Sequence, residues 1–393
     1  MVAPNLELPS FLPAVIAADP ALTPFLKWPG GKTQELPAIA TVAPSLEGRF
    51  IDPFVGGGSV LLAVVDSVPA WANDACPELI GLFRASADND QVVRGAIDGV
   101  ARAWMGLEHL QSMYEGLAAS FLSVDGFEVA HRVRDSQSTL ASIVEQAGPA
   151  VKEPFLERVD KDLHIKMERM RTIQSRLKRQ LSSQDLLANI EGSVRSSFYM
   201  TLRARYNRAR LGGSVNEIRL ADFYFLREFT YAAMFRFNAR GEFNVPYGGV
   251  SYNRKSLSTK AEQLFSEAMR ARLATTTFRT GDFEPFLAEA APLADDFVFV
   301  DPPYDSDFSD YDNRSFAAKD QVRLRNMLVD LPAKVMVVIK DTPAIRALYS
   351  ADRWHTLEAE KTYMWTIKSR NDRSALHLTL TNYVPEAWHR SHR

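Results

Sequence analysis

In Asp296-Phe-Val-Phe-Val-Asp-Pro-Pro-Tyr304, a short apolar run leads into an acidic, proline-rich turn. An apolar run of this length between polar positions is typical of a strand that is buried on both faces of a parallel sheet. Such a strand would carry Asp301 at its carboxyl end. Ligands of open α/β sheets bind at the carboxyl ends of the strands. The motif therefore predicts a ligand site around Asp301.

The residues of this turn suit an aromatic amine as substrate. Such an amine is a poor nucleophile, because its lone pair is delocalised into the ring. The Asp301 carboxylate and the Pro302 carbonyl can accept its two N–H groups and favour the electron-rich nitrogen of the transition state. Pro303 stiffens the turn without donating a hydrogen bond, and Tyr304 offers a flat face. We therefore predict that Asp301, Pro302, Pro303 and Tyr304 are catalytic.

Short apolar runs alternate with helical patterns on both sides of this motif, for example at Lys334–Ile339 and Ala375–Thr381. This alternation predicts an α/β fold with a mostly parallel sheet flanked by helices. The middle of the chain instead has a helical pattern, with strand-like runs at 234–250. We expect a catalytic domain split into residues 1–82 and 275–393. Residues 83–274 would form a mostly helical insertion that carries a β-hairpin.

Glycine-rich turns near the N-terminus indicate close approach of the backbone to a ligand. Phe50-Ile-Asp-Pro-Phe-Val-Gly-Gly-Gly-Ser-Val-Leu-Leu62 predicts a strand, a turn and a helix. Leu61 breaks the strict dinucleotide fingerprint, and Leu26 stands where a triphosphate loop around Gly30-Gly-Lys-Thr33 would need glycine. Asp74 ends the next predicted strand. It is placed either to accept ribose hydroxyls or to cap a helix.

Composition excludes several classes of protein. The 393 residues are 46% hydrophobic with a net charge of −2, as in an ordinary globular protein. No apolar run is long enough to span a membrane. Cys76 is the single cysteine, so neither an internal disulfide nor a cysteine-rich metal site is expected. The N-terminus lacks the basic start of a secretory signal. We expect a cytoplasmic protein with no metal site and no membrane partner.

Arginines are concentrated in one part of the predicted insertion. Between Glu191 and Glu217 there are five arginines and no acid. Clustered guanidinium groups suit phosphate contacts, and the alternative is a solvated helix face. The cluster consists of Arg195, Arg203, Arg205, Arg208 and Arg210.

Taken together, the motifs resemble the Dam-like DNA adenine methyltransferases of the alpha class. The resemblance rests on four segments in the order of that family: Phe25-Leu-Lys-Trp-Pro-Gly-Gly-Lys32, Asp52-Pro-Phe-Val-Gly-Gly-Gly58, Phe237-Asn-Ala-Arg-Gly-Glu-Phe-Asn-Val-Pro-Tyr-Gly248 and Asp301-Pro-Pro-Tyr304. It implies a Rossmann-like sheet that binds S-adenosylmethionine, and an inserted DNA-recognition domain. The implied cofactor contacts are Trp28, Lys32, Asp52, Phe54, Gly56, Asp74, Asp282, Phe283 and Asp301.

The same resemblance implies methylation of adenine N6 in double-stranded DNA. The target base must leave the duplex, because N6 is not reachable inside the stack. The resemblance places base reading on the hairpin, where the donors and acceptors are Arg236, Asn238, Arg240 and Asn244. Arg203 and Arg205 would hold the DNA backbone. A restriction nuclease or another defence component is a candidate partner, and the recognition sequence stays open.

Two rival hypotheses remain at this point. The first is a methyltransferase that acts on cytosine N4 or on RNA adenine. The Asp of the catalytic motif favours adenine, because cytosine-N4 relatives usually carry Ser there. The second is a DNA-binding protein that binds the cofactor without turnover. The intact Asp301, Pro302 and Tyr304 favour an enzyme.

Overall fold

The computed structural model describes residues 16, 22–65, 67–122, 136–303, 316–350, 353–362 and 374–385. The strands are β1 (Phe50–Asp52), β2 (Ala70–Asp74), β3 (Thr276–Thr280), β4 (Phe297–Val300), β5 (Lys334–Lys340), β6 (His355–Thr362) and β7 (Ser374–Thr381). The α-helices are α1 (Leu36–Val42), α2 (Pro77–Ala87), α3 (Gln91–Gly106), α4 (Gln111–Leu122), α5 (Gln137–Val144), α6 (Lys152–Leu177), α7 (Ser183–Leu211), α8 (Glu217–Phe229), α9 (Ser258–Leu264), α10 (Glu267–Ala274), α11 (Phe283–Ala290), α12 (Ala318–Asp330) and α13 (Pro343–Leu348).

The strands form one seven-stranded sheet in the order β3-β2-β1-β4-β5-β7-β6. The five strands from β3 to β5 in this order run parallel to one another. Strand β7 runs antiparallel to both of its neighbours, β5 and β6. This mixed α/β sheet is consistent with an S-adenosylmethionine-dependent methyltransferase fold. The predicted α/β class is thus confirmed.

Apolar residues cover both faces of the sheet. Within β4, Phe297 and Phe299 belong to one buried cluster, and Val298 and Val300 belong to the other. Successive side chains of a strand point to opposite faces, so a strand buried on both faces reads as a continuous apolar run. This explains why β4 was visible in the sequence.

The chain between β2 and β3 holds helices and a hairpin. The boundary proposed at residue 82 falls inside α2, which packs on β2 and β3 and therefore belongs with the sheet. A second difference lies at Leu61–Ala63, where a short 3-10 helix replaces the predicted α-helix after the glycine-rich turn. Within the described residues, no helix combines the length and the apolar character needed to cross a membrane.

The hairpin overlaps the predicted range 234–250 and begins slightly before it. Antiparallel bridges join Thr230 to Tyr247 and Phe237 to Phe243. Its tip is closed by a hydrogen bond of 2.8 Å from the Gly241 N–H to the Asn238 carbonyl. Gly241 has a φ of 74°, which an L side chain rarely adopts. The turn therefore requires the glycine of the hairpin motif.

Candidate active site

Four neighbouring parallel strands deliver acidic residues to one edge of the sheet. Asp52 ends β1, Asp74 ends β2, Asp282 follows β3 and Asp301 follows β4. Because β1 lies between β2 and β4, the chain order reverses beside it. Such a switch point opens a crevice at the carboxyl ends of the strands. We call this edge the carboxyl-edge site.

Lys32 joins the N-terminal motif to this site. Its side chain is buried, and Nζ forms an ion pair with the Asp301 carboxylate. Nζ also donates to the Gly30 carbonyl at 2.9 Å, and the backbone N–H of Lys32 donates to Ser59 Oγ at 2.9 Å. The loop that contains Lys32 is thus attached both to the tip of β4 and to the glycine-rich turn after β1.

Asp52 lies fully buried beside these groups. Its burial raises the pKa of the carboxyl well above the usual value, although the N–H of Phe54 donates to it at 3.0 Å. The nearby carboxylates of Asp301 and Asp74 raise the pKa further, while Lys32 opposes the shift. A cationic ligand beside Asp52 would favour the ionised form of this carboxyl.

Asp74 holds the glycine-rich turn in place. Its carboxylate accepts the N–H of Gly56 at 3.1 Å and the N–H of Cys76 at 2.8 Å. Gly56 has a φ of 49°, and a Cβ there would stand 2.9 Å from Cδ1 of Trp28. The turn can therefore pass beneath the Trp28 ring only with glycine at this position. Trp28, Gly56 and Asp74 are brought together, as the cofactor hypothesis requires.

An aromatic wall borders the site next to β3. The rings of Phe54, Phe283 and Phe316 lie with centroids 5.5 to 5.8 Å apart. Phe316 was not predicted, because nothing in the sequence links it to the other two rings. Asp282 caps α11 by accepting the N–H of Glu284, and it pairs with Arg323 at 3.0 Å. Asp282 thus already has partners within the protein.

The described part of the catalytic turn is arranged as an acceptor pair. The Asp301 side chain is 20% exposed, and Pro302 is buried. Among the described residues, no hydrogen bond uses the Pro302 carbonyl. The Pro303 carbonyl accepts Nε2 of Gln321 at 3.2 Å, which fixes the turn. Tyr304 lies outside the described residues. The described ranges contain no cluster of His, Cys, Asp or Glu suited to a metal ion.

Arg205 does not face solvent, so its assignment to the DNA backbone is wrong. It is buried and pairs with Asp222 at 2.7 Å. It also donates to the Ala147 and Pro149 carbonyls at 2.9 Å. A guanidinium with these partners cannot reach a phosphate. Burial raises the pKa of Asp222 to about 6 despite this pairing.

Several other members of the arginine cluster support the protein rather than a ligand. Arg195 is fully buried, lies 4.3 Å from the Trp104 ring centroid and pairs with an acid on its own helix. Arg203 is half-buried and donates to the Val245 carbonyl at 3.1 Å. Arg210 donates to the Gly241 carbonyl at 2.6 Å. Arg203 and Arg210 therefore hold the hairpin against α7, Arg195 is used inside the protein, and the cluster does not form a continuous phosphate grip.

The hairpin side chains divide into two groups. Asn238 builds the tip, because its Oδ1 accepts the N–H groups of Arg240 and Glu242 at 2.9 and 3.0 Å. The side chains of Arg236, Arg240 and Asn244 are exposed. In the described chain, those three side chains form no hydrogen bond or ion pair. They remain candidates for base reading, whereas Asn238 is first a turn residue.

Arg227 connects the hairpin to the carboxyl-edge site. Its guanidinium lies 4.9 Å from both the Trp28 and the Phe235 ring centroids. It also donates to the Lys27 carbonyl. The N-terminal motif therefore packs against the base of the hairpin, which puts the base-reading candidates next to the active site.

A lysine group beside this junction was not predicted. Lys255 donates to the Glu228 carbonyl at 3.0 Å and lies over the Tyr252 ring at 3.5 Å. Its pKa is lowered to about 8, mainly by burial and then by the charge of Lys27. Lys260 pairs with the Glu228 carboxylate at 2.8 Å. These lysines are separated in sequence, so no local pattern could have revealed the group.

The sheet and its acidic carboxyl edge are those expected of a Rossmann-like methyltransferase. The chain matches the model of the D12 class N6 adenine-specific DNA methyltransferases over residues 28–122 and 165–363. This match covers well over half of the sequence. The chain therefore belongs to this family, and it is an adenine-specific DNA methyltransferase.

Curated relatives agree with this assignment. The type II methyltransferase M1.LlaDCHI of Lactococcus lactis subsp. cremoris is 24% identical over 92% of this chain and 96% of its own length. The type II methyltransferase M.CviBI of Paramecium bursaria Chlorella virus NC1A is 34% identical over 41% of this chain and 60% of its own length. A DNA adenine methylase of Vibrio cholerae is 26% identical over 45% of this chain and 63% of its own length.

Proposed function

We propose that the carboxyl-edge site binds S-adenosylmethionine and that Asp301 and Pro302 hold the N6 amino group of an adenine flipped out of double-stranded DNA. The observation that carries the proposal is the meeting of Asp52, Asp74 and Asp301 with Lys32 at the switch point of the sheet. This arrangement combines acidic side chains with the Pro302 carbonyl at the tip of β4, an acceptor that no described residue uses.

The residues present fit the cofactor. Burial, and then the charges of Asp301 and Asp74, raise the pKa of Asp52, and a sulfonium or ammonium group beside these carboxyls would favour the ionised form of Asp52. Gly56 lets the turn pass beneath the Trp28 ring, which lies beside the carboxyl-edge site, and Phe54 with Phe283 offers aromatic surface for a purine. When bound, the cofactor supplies an activated methyl group. Lys32, through its ion pair, would hold the Asp301 carboxylate oriented beside it.

Asp301 and Pro302 would act on the amine. The carboxylate and the carbonyl accept the two N–H groups of N6, which raises electron density on the nitrogen as it attacks. N6 would accept the methyl group that the cofactor supplies, and the proton that N6 then loses would pass to the Asp301 carboxylate or to water. Tyr304 would stack on the extruded base, since base-modifying enzymes read a flipped base by stacking and edge hydrogen bonds.

Base reading is proposed for the exposed hairpin side chains Arg236, Arg240 and Asn244. Guanidinium and amide groups pair with guanine and adenine edges in the major groove. Their position next to Trp28, through Arg227 and Phe235, supports this role. The names of the type II relatives support a cognate restriction nuclease as partner, and DNA that carries the modification should then resist that nuclease.

The test first maps modified adenines in DNA treated with the protein, by sequencing and by mass analysis of nucleosides. A duplex with 2-aminopurine at the mapped position then reports extrusion of the base. We expect N6-methyladenine and a rise in 2-aminopurine fluorescence on binding with a nonreactive cofactor analogue. N4-methylcytosine as the product would contradict the target assignment. The probe is placed either at the target position or beside it. If DNA is methylated but 2-aminopurine fluorescence rises at neither position, base flipping is contradicted.

A further inference from the structure

The far end of the insertion carries an unusual excess of positive charge. Between Glu168 and Asp185 there are five cations and no acid, whereas the whole chain has a net charge of −2. The five side chains are all exposed. They belong to Arg169, Arg171, Arg176, Lys178 and Arg179 at the end of α6 and in the turn before α7. We call them the insertion-tip cations.

Within the described residues, no acid compensates the charge of these side chains by pairing with them. In the part of the chain that the structure describes, none of the five forms an ion pair. Arg171 lies 5.6 Å from the Phe121 ring, on the side of α6 that faces α4. Burial and the charge of Arg169 together lower the pKa of Lys166, which shows that like charges accumulate there. Exposed helices more often interleave charges of both signs.

The periodicity of α6 places several cations on one face. Arg158 and Arg176 are 18 positions apart, which is five full turns at about 3.6 residues per turn. Arg169 falls between them, 11 positions from one and 7 from the other, and so points in nearly the same direction. Buried residues such as Leu163 and Met167 form a different face, which packs on α7.

Contacts at the other end of α6 show which way this face points. Arg158 pairs with Asp162, which accepts the Ser197 hydroxyl of α7 at 2.9 Å. Arg158 also lies close enough to Arg203 for its charge to add to the burial that lowers the pKa of Arg203. Arg203 bonds to the hairpin through the Val245 carbonyl. The cationic face of α6 therefore lies on the hairpin side of α7.

Helix α7 sets the distance between the hairpin and the insertion tip. Asn207 binds the backbone of Phe243 in the hairpin, and Ser183 begins α7 next to the tip. These residues are 24 positions apart. At 1.5 Å per residue this is about 36 Å. One turn of B-DNA, about ten base pairs, has a similar length.

We propose that four of the insertion-tip cations bind phosphates of duplex DNA about one helical turn away from the methylated adenine. They are Arg169 and Arg176 on the hairpin side of α6, with Lys178 and Arg179 in the turn that follows. The proposal rests on the proposed function, because it takes the hairpin as the base-reading element. Arg195 and Arg205 are buried, so the cationic surface on the hairpin side of the insertion is supplied largely by α6. The contact would add affinity without adding sequence preference, since phosphates carry no base identity.

The test compares Arg176→Gln/Arg179→Gln with the matched pair Arg102→Gln/Arg270→Gln, which removes two exposed cations elsewhere. Binding is measured on a duplex with about six base pairs on each side of the mapped adenine and on one with about twenty, the latter exceeding one helical turn. Each phosphate contact contributes about −0.9 to the slope of log affinity against log salt. The tip variant should therefore lose about 1.8 of this slope on the long duplex.

When salt rises from 50 to 200 mM, the affinity of the wild type for the long duplex should therefore fall by about tenfold more than that of the tip variant. Short-duplex affinity, methyl transfer at saturating DNA and thermal stability should match those of the wild type. An unchanged slope on the long duplex, or an equal change in the matched pair, would overturn the proposal. Failure of the wild type to methylate either duplex would instead count against the proposed function.

Discussion

Lys32 is the residue on which the charge balance of the carboxyl-edge site depends. The sequence predicted Lys32 and Asp301 as separate cofactor contacts, and the structure pairs them directly. Lys32 also opposes the raised pKa of Asp52. One buried cation thus acts on two carboxyls from different strands. Its removal should affect folding and catalysis together.

We predict that Lys32→Ala lowers the free energy of unfolding by about 3 kcal/mol. This value is at the low end for breaking a buried ion pair, because the Asp301 side chain is 20% exposed. Methyl transfer should fall at least about tenfold, since disordering one preorganised group costs this much or more. Denaturant unfolding and single-turnover assays measure both effects. Lys161→Ala, at an exposed lysine on α6, is the control and should behave like the wild type. Wild-type turnover in Lys32→Ala would contradict the role.

Lys255 should make DNA binding depend on pH. In the free protein its pKa is about 8, so the folded state holds fewer protons than the unfolded chain between about 8 and 10.4. Stability should therefore rise with pH through that window. A phosphate beside Lys255 would favour the charged form, and binding would then take up a proton.

DNA affinity should accordingly fall as pH rises from about 7 to 9 around this pKa, and the fall should be smaller in Lys255→Arg, because arginine stays charged. Fluorescence anisotropy at constant salt measures the affinity. If the wild type and Lys255→Arg show the same dependence of DNA affinity on pH, Lys255 does not contact a DNA phosphate.

At the scale of elements, α7 serves as the support of the hairpin. In the sequence, the arginines between Glu191 and Glu217 suggested a phosphate-binding cluster. In the structure, their partners are hairpin carbonyls, aromatic rings and buried acids. The sequence could not distinguish these roles, because both use the same side chain and differ only in the partners that folding supplies. Asn207, which no pattern singled out, makes the most complete of these contacts.

Asn207 both donates to and accepts from the backbone of Phe243, at 3.0 and 2.8 Å. We predict that Asn207→Ala loosens the hairpin by about 1–3 kcal/mol, the usual cost of leaving such groups unsatisfied. Amide hydrogen exchange at residues 237–243 should speed up, and methylation at the mapped site should lose specificity while cofactor binding persists. Arg208→Ala, at an exposed arginine on the same helix, provides the comparison. Equal exchange rates in the two variants would rule out this support.

At the scale of the whole molecule, buried parallel strands were the most predictable part. Strands β4 and β5 were found at the expected runs because apolar residues cover both faces of the sheet there. Strand β7 was found because its leucines alternate with polar residues, as in a strand with one apolar face. Strand β6 (HTLEAEKT) was missed, since a polar edge strand lacks an apolar run. The aromatic wall of Phe54, Phe283 and Phe316 was missed in part, because its rings come from distant segments.

The account as a whole depends on the amine-holding role of Asp301, and Asp301→Asn in a single-turnover assay tests it most directly. Asparagine keeps the size of the side chain but removes its charge. With cofactor and DNA saturating, methyl transfer should fall by about 100-fold or more. Cofactor affinity should weaken by no more than about tenfold, or 1.4 kcal/mol. Transfer at close to the wild-type rate would contradict the account.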